Sequence, residues 1–199
     1  MKPLFTVHAG EFVAGEYIEK NFHNVHVWLP AKDTGVDLLI SDAENKNAVS
    51  LQVKSSRDFS GPGDKEWDKS LRALGWWTLN RQKIEHSRAN YWVFVLVVSE
   101  RRSTNFLIIK PRELLERLDT IHDKPNTIRI YLCVMKNGRC WKTRDLNAPD
   151  RESIAKGTFK NTERDFTPYL NKWDPIKKAL KLLPPDAPTS AAPVKSATL

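Results

Sequence analysis

Eight consecutive apolar residues, Tyr91-Trp92-Val93-Phe94-Val95-Leu96-Val97-Val98, constrain the fold of this chain more than any other segment. A strand sends alternate side chains to opposite faces, so a strand that is apolar at every position must be covered on both. The run is well short of the ~18 residues a membrane span needs. Around it, His8 to Phe22 reads as a helix and Val25 to Leu29 as a short strand. Val36 to Ile40 and Val49 to Lys54 read as strands joined by the polar turn Ser41 to Ala48. Asp68 to Ile84 is expected to be a helix carrying Trp76 and Trp77, and Phe106 to Lys110 a strand. Pro111 opens a helix reaching Ile121. Arg129 to Met135 and Arg139 to Thr143 flank Asn137-Gly138, a hairpin signal because both turn residues tolerate positive φ. Thr167 to Leu183 reads as a basic amphipathic helix. This order predicts an α/β or α+β protein built on a mixed sheet.

A chain of 199 residues, 40% of them hydrophobic, makes one compact domain or one with a small appendage. Residues 1–125 are expected to form the core, with the hairpin and helix of 126–183 packing on or extending it. Residues 184–199, rich in Pro, Ala, Ser and Thr, read as a flexible tail. Ser55 to Glu66, containing Gly61-Pro62-Gly63, reads as a mobile loop. Cys133 and Cys140 are too few for a disulfide framework; buried free thiols are expected, with a single bridge as the alternative. Met1-Lys2-Pro3-Leu4 lacks the apolar segment of a secretory signal, so a cytoplasmic protein without a membrane span is expected. The balance of 32 basic to 24 acidic residues gives a net charge of +8, which favours polyanionic partners.

The strand pair gathers polar groups on one face. Val36, Leu38 and Ile40 are expected to point one way and Asp37 and Leu39 the other, with Gln52 and Lys54 sharing the Asp37 side. A turn centred between Asn45 and Lys46 would set Asp37 opposite Lys54 and Leu39 opposite Gln52. On the first helix Glu11, Gly15, Ile18 and Phe22 follow i, i+4, i+7, i+11 spacing, so Glu11 lies on or beside the buried stripe. A carboxylate there needs a cation or a hydrogen-bond donor. Phosphodiester hydrolysis needs a positioned water, a sink for charge on phosphorus oxygens and help for the leaving alkoxide. A hard divalent cation prefers oxygen ligands, which Asp37 and Gln52 offer, and Lys54 can hold the attacking water or the phosphate charge. Other chemistries lack their residues. His23 and His26 have no local companions for a zinc site, no phosphate-cradling Gly loop precedes a Lys-Ser/Thr pair, and no Ser-His-Asp spacing stands out.

Gly10-Glu11, Gly35-Val36-Asp37-Leu38-Leu39 and Leu51-Gln52-Val53-Lys54-Ser55-Ser56 together resemble the PD-(D/E)xK nuclease superfamily, which includes many restriction endonucleases and Holliday-junction resolvases. The resemblance covers residues 8–56 well and the later strands loosely. It implies a restriction-endonuclease-like mixed central sheet flanked by helices, with the C-terminal hairpin and helix as an extension. It implies that Asp37, Gln52 and the Val53 carbonyl bind a metal, that Lys54 assists the water, and that Glu11 matches the helical acidic residue of many members. Gln52 departs from the usual Asp or Glu and Val36 from the usual Pro, although some members similarly use Gln. One negative charge fewer implies one well-held ion and a second that is weak or absent.

The implied activity is Mg²⁺-dependent endonucleolytic cleavage of DNA, duplex or branched, with Mn²⁺ able to substitute. A homodimer or higher oligomer is implied by the need to cut two strands. Lys32, Ser56, Arg57, Lys65, Lys69 and Arg72 are the expected nucleic-acid contacts, with Arg81, Lys83 and the hairpin residues Lys136, Arg139, Lys142 and Arg144 as further basic candidates. Trp76 and Trp77 are candidates for base stacking or a subunit contact, one of them in the core. The alternative is a catalytically weak or inactive nucleic-acid-binding protein that keeps the fold. An RNA substrate is a third, weaker reading.

Overall fold

The computed structural model describes residues 9–32, 34–56, 66–98 and 103–182. Along them run α1 (Ala9–Asn21), β1 (Val25–Trp28), β2 (Leu38–Asp42), β3 (Ala48–Ser56), α2 (Glu66–Ser70), β4 (Leu71–Asn80) and α3 (Arg81–Glu85). There follow β5 (Tyr91–Val98), β6 (Ser103–Ile109), α4 (Pro111–Ile121), β7 (Thr127–Met135), β8 (Cys140–Lys142), α5 (Ala148–Ala155) and α6 (Asp174–Ala179).

The eight-residue apolar run is β5, and both its faces are covered. Tyr91, Val93 and Val95 pack with Ala14 and Ile18 of α1, with Phe22 just after it, and with Trp173, Ile176 and Leu180 at α6. Trp92, Phe94 and Leu96 pack on the other side against Trp77 and Leu79 of β4, Ile130 and Leu132 of β7, and Leu114 and Leu118 of α4. Among the described residues β5 lies inside a five-stranded sheet of order β1-β2-β3-β5-β6. Only the β3–β5 pair is parallel, so the sheet is mixed. A second sheet, β4-β7-β8, is antiparallel and covers the central sheet's far face. The chain is therefore an α/β protein with a mixed sheet flanked by helices, as the order of its elements predicts. A third apolar cluster on the outer face of the second sheet joins Cys133, Met135 and Trp141 to Ile154 of α5 and to Trp67, Leu71 and Leu74.

Several expected elements fold differently. Leu71–Asn80 is a strand, where a helix over Asp68 to Ile84 was expected. Its burial alternates, with Ala73, Gly75, Trp77 and Leu79 inside and Arg72, Trp76, Thr78 and Asn80 outside. That period of two, and not a helical turn, separates buried Trp77 from Trp76, which is 44% exposed. Trp77 is thereby removed as a stacking or subunit-contact residue. The helix expected over Thr167 to Leu183 shrinks to a 3₁₀ turn at Thr167–Tyr169 and the short α6. Pro168 and Pro175 lie inside the expected span and Asn171 takes a φ of 54°, so no continuous helix can form there. The hairpin after β7 uses a four-residue connection, 136–139, in which Gly138 has the positive φ, 81°, and Met135 N donates to Arg139 O at 2.8 Å. In α5 the Asn147 side chain accepts from Asp150 N, with Pro149 in the first turn, a helix start that the sequence itself carries.

Both cysteines are free and buried. Burial pushes the Cys133 thiol up to about 12 and the Cys140 thiol well above its ordinary value. No described helix is long and apolar enough to cross a membrane. The expected loop after Ser56 and the expected tail from 184 fall outside the described residues.

Candidate active site

The site begins with the turn between β2 and β3. The Asp42 side chain accepts from Lys46 N at 2.8 Å and from Asn47 N at 3.1 Å, Asp42 N donates to Asn47 O at 3.1 Å, and Asn45 takes a φ of 56°. These bonds centre the turn one position earlier than expected. The register pairs Leu38 with Leu51, Leu39 with Ser50 and Ile40 with Val49. Asp37 therefore lies across from Gln52, not Lys54, and Leu39 does not face Gln52. A shift of two residues keeps every side chain on its face, so Asp37, Gln52 and Lys54 still share one side. Val36 does not point with Leu38 and Ile40. It packs against the opposite cluster, because regular pairing begins only at Leu38.

The new register makes a direct contact. The Asp37 carboxylate accepts from Gln52 Nε2 and, at 2.6 Å, from Val53 N. Asp37 N in turn donates to Leu51 O at 2.8 Å. Because a strand residue's N–H and C=O leave on the same edge, the Val53 carbonyl also faces the Asp37 side. Lys54 is half-buried, with its Nζ 5.5 Å from the centroid of the Trp92 ring. Trp92 is itself pinned by a 2.9 Å bond from Nε1 to Ser87 Oγ.

Glu11 comes from the first turn of α1 and is 8% exposed. The residue before it sets how close the helix lies to β3. A Cβ at Gly10 would collide with the Ser55 side chain, so glycine lets α1 rest directly on the strand that carries Gln52 and Lys54. Ile18 and Phe22 are buried on the same stripe, while Glu16 and Glu19 are exposed.

Glu11, Asp37, Gln52, Val53 and Lys54 line one cavity of 840 Å³, together with Thr34, Gly35 and Ser55. Among the described residues, none of β1, β2 or β3 belongs to the apolar cluster beneath the second sheet. The rest of the lining is Trp92 of β5 together with α3 and its flanks: Asn80, Gln82, Lys83, His86, Ser87 and Arg88. His86 and Arg88 were missed from sequence, since nothing in their spacing links them to β3.

The other expected contacts are scattered. Lys32, Lys69 and Arg72 are exposed and do not line the cavity. Ser56 is half-buried and its hydroxyl accepts from Trp76 N at 3.0 Å, a structural tie between β3 and β4. Arg57 and Lys65 lie outside the described residues. Arg81 pairs with Asp119. On the hairpin, Lys142 is fully buried and so is unavailable to a phosphate backbone, and Arg139 is paired with Asp165 at 2.7 Å.

The oxygen donors fit a hard cation loosely held. Among the described residues no group of three or more His, Cys, Asp or Glu side chains is arranged around a common point. The donor set here is two carboxylates, an amide and a backbone carbonyl, with no nitrogen or sulfur ligand. That composition suits Mg²⁺, which keeps several waters and needs only one or two carboxylates beside a substrate phosphate. The Gln52 amide would have to turn its oxygen inward, since in this structure its nitrogen faces Asp37. No family model, curated protein or solved structure matches this chain.

Proposed function

We propose that this protein is a metal-dependent DNA endonuclease whose reaction takes place in the cavity between α1, β3 and α3. The observation that carries the reading is the convergence of Glu11, Asp37, Gln52, Val53 and Lys54 on that one cavity. Two carboxylates and a half-buried lysine meet there beside Lys83 and Arg88, so the lining combines oxygen donors for a cation with positive charge for a phosphate. Lys54, steadied by Trp92, offers a positive charge to the phosphorus oxygens or to the attacking water. Gln52 and Val53 N fix the rotamer of Asp37, so its carboxylate is oriented before substrate arrives. A bound Mg²⁺ or Mn²⁺ would supply charge neutralisation and a water of lowered pKa.

Supercoiled plasmid incubated with Mg²⁺ or Mn²⁺ is expected to be nicked or linearised, and Asp37→Ala and Lys54→Ala are each expected to abolish this while the fold, followed by circular dichroism, persists. Activity surviving both substitutions overturns the site. The Gln52–Asp37 hydrogen bond supports a second reading, a nucleic-acid-binding protein whose amide fills a catalytic carboxylate's place. That reading expects salt-sensitive DNA binding, no cleavage with any divalent ion, and unchanged affinity in Asp37→Ala.

A further inference from the structure

Among the described residues, the outer face of the second sheet is covered by α5 at one end and presents an exposed tryptophan, Trp76, toward the other. Leu74 and Cys133 lie under the third apolar cluster with α5. Beyond them, Trp76 and Thr78 on β4 stand beside Tyr131 and Arg129 on β7, as the pairs Trp76–Tyr131 and Thr78–Arg129. The Trp76 and Tyr131 rings meet edge to face, 6.5 Å between centroids, and Trp76 remains 44% exposed. Arg144 sits over the Tyr131 ring at 5.4 Å and its Nη1 approaches the Tyr131 hydroxyl at 3.4 Å. Next to this ledge is a cavity of 370 Å³ lined by Arg129, Arg144, His122, Thr127 and Asp145, among others. Asp145 is the one carboxylate in that lining, and Arg144 and buried Lys142 lie 3.5 and 3.7 Å from it.

We propose that the Trp76–Tyr131 ledge and the Arg129–Arg144 cavity bind an unpaired nucleic-acid strand, a base on the indole and a phosphate between the arginines. An exposed aromatic ring on a sheet surface can stack only on a base that has left its duplex. The adjacent arginines supply the charge that tracks a phosphate backbone. The ledge is tied to the candidate active site. Trp76 N donates to Ser56 Oγ at 3.0 Å, and Ser56 lies two residues, or ~7 Å of strand, beyond Lys54. This rests on the nuclease reading and sharpens it: the preferred substrate carries an unpaired stretch beside the scissile phosphate, as a flap or branch does.

The test is fluorescence anisotropy with a labelled oligothymidylate and a blunt duplex of equal length, in EDTA so that nothing is cut. The wild-type chain is expected to bind the single strand more tightly. Trp76→Ala is expected to weaken single-strand binding about tenfold with little effect on duplex, and Trp76→Phe to recover most of it. Arg129→Ala with Arg144→Ala is expected to reduce the slope of log affinity against log salt by about one. Equal single-strand affinity in wild type and Trp76→Ala overturns the proposal. So does a change of oligomeric state in Trp76→Ala, by sedimentation, without loss of binding. Duplex cleavage with no single-strand binding overturns this proposal alone. Single-strand binding lost in Trp76→Ala, with no cleavage of any substrate, upholds it and overturns the nuclease reading.

Discussion

Gln52 donates its side-chain amide to the carboxylate of Asp37 across the β2–β3 pair, occupying with a neutral donor the place where a second acid would repel. Gln52→Glu replaces that bond with two facing carboxylates, one of which is pushed toward protonation unless a cation lies between them. In EDTA the variant should be less stable by about 1 kcal/mol, lowering the melting midpoint by about 2–4 °C. Mg²⁺ should restore it, and titration calorimetry should show divalent affinity about tenfold above wild type. A variant whose midpoint ignores Mg²⁺ would argue against a cation at this position.

Gly10 lets α1 touch β3 at Ser55. Gly10→Ala should cost about 1–3 kcal/mol through overpacking and displace Glu11 from the cavity. Ser55→Gly in the same chain should recover part of the loss, a coupling that a double-mutant cycle in urea would measure. Purely additive effects would show that the helix is not set by this contact.

Lys142 is fully buried, and desolvation lowers its pKa from 10.5 to about 8, with Arg164 and Arg144 adding to the effect and Asp145 opposing it. Between these two values the unfolded chain holds a proton the folded chain has lost, so this residue makes stability rise with pH across that window; below it the full cost of the buried charge remains. Lys142→Met should therefore stabilise the protein at pH 7 by about 1–3 kcal/mol. Its advantage over wild type should shrink steadily from pH 8 to 10 in chemical denaturation. A constant gap would place the ammonium in a solvated setting.

The thiols of Cys133 and Cys140, both raised by burial, should resist alkylation by iodoacetamide at pH 8 in the native protein and react within minutes in denaturant. Rapid native labelling would mean that the second sheet opens locally.

What was legible in the chain followed from strict periodicity. The run at β5 announced a double-sided strand, and the alternation around Asp37, Gln52 and Lys54 put them on one face whatever the register. The register itself depended on the Asp42 side chain closing the turn and on Asn45 accepting a positive φ, neither of which the apolar pattern records. At β4, Ala73, Gly75, Trp77 and Leu79 carry a period of two, but Gly75 and the adjacent tryptophans blur it. His86 and Arg88 reach the candidate site through tertiary placement of α3 alone.

The position of β4 in the chain also shapes how the molecule is born. It lies in the crossover between the parallel neighbours β3 and β5, yet its hydrogen-bonding partner is β7. On a ribosome adding ~5–20 residues per second, the strand bearing Trp77 waits several seconds for that partner to emerge. Until then the nascent polypeptide carries an unsatisfied edge and a greasy underside. Synthesis in the cell should therefore lean on a holding chaperone, and slowing translation between the two strands should lower the soluble yield.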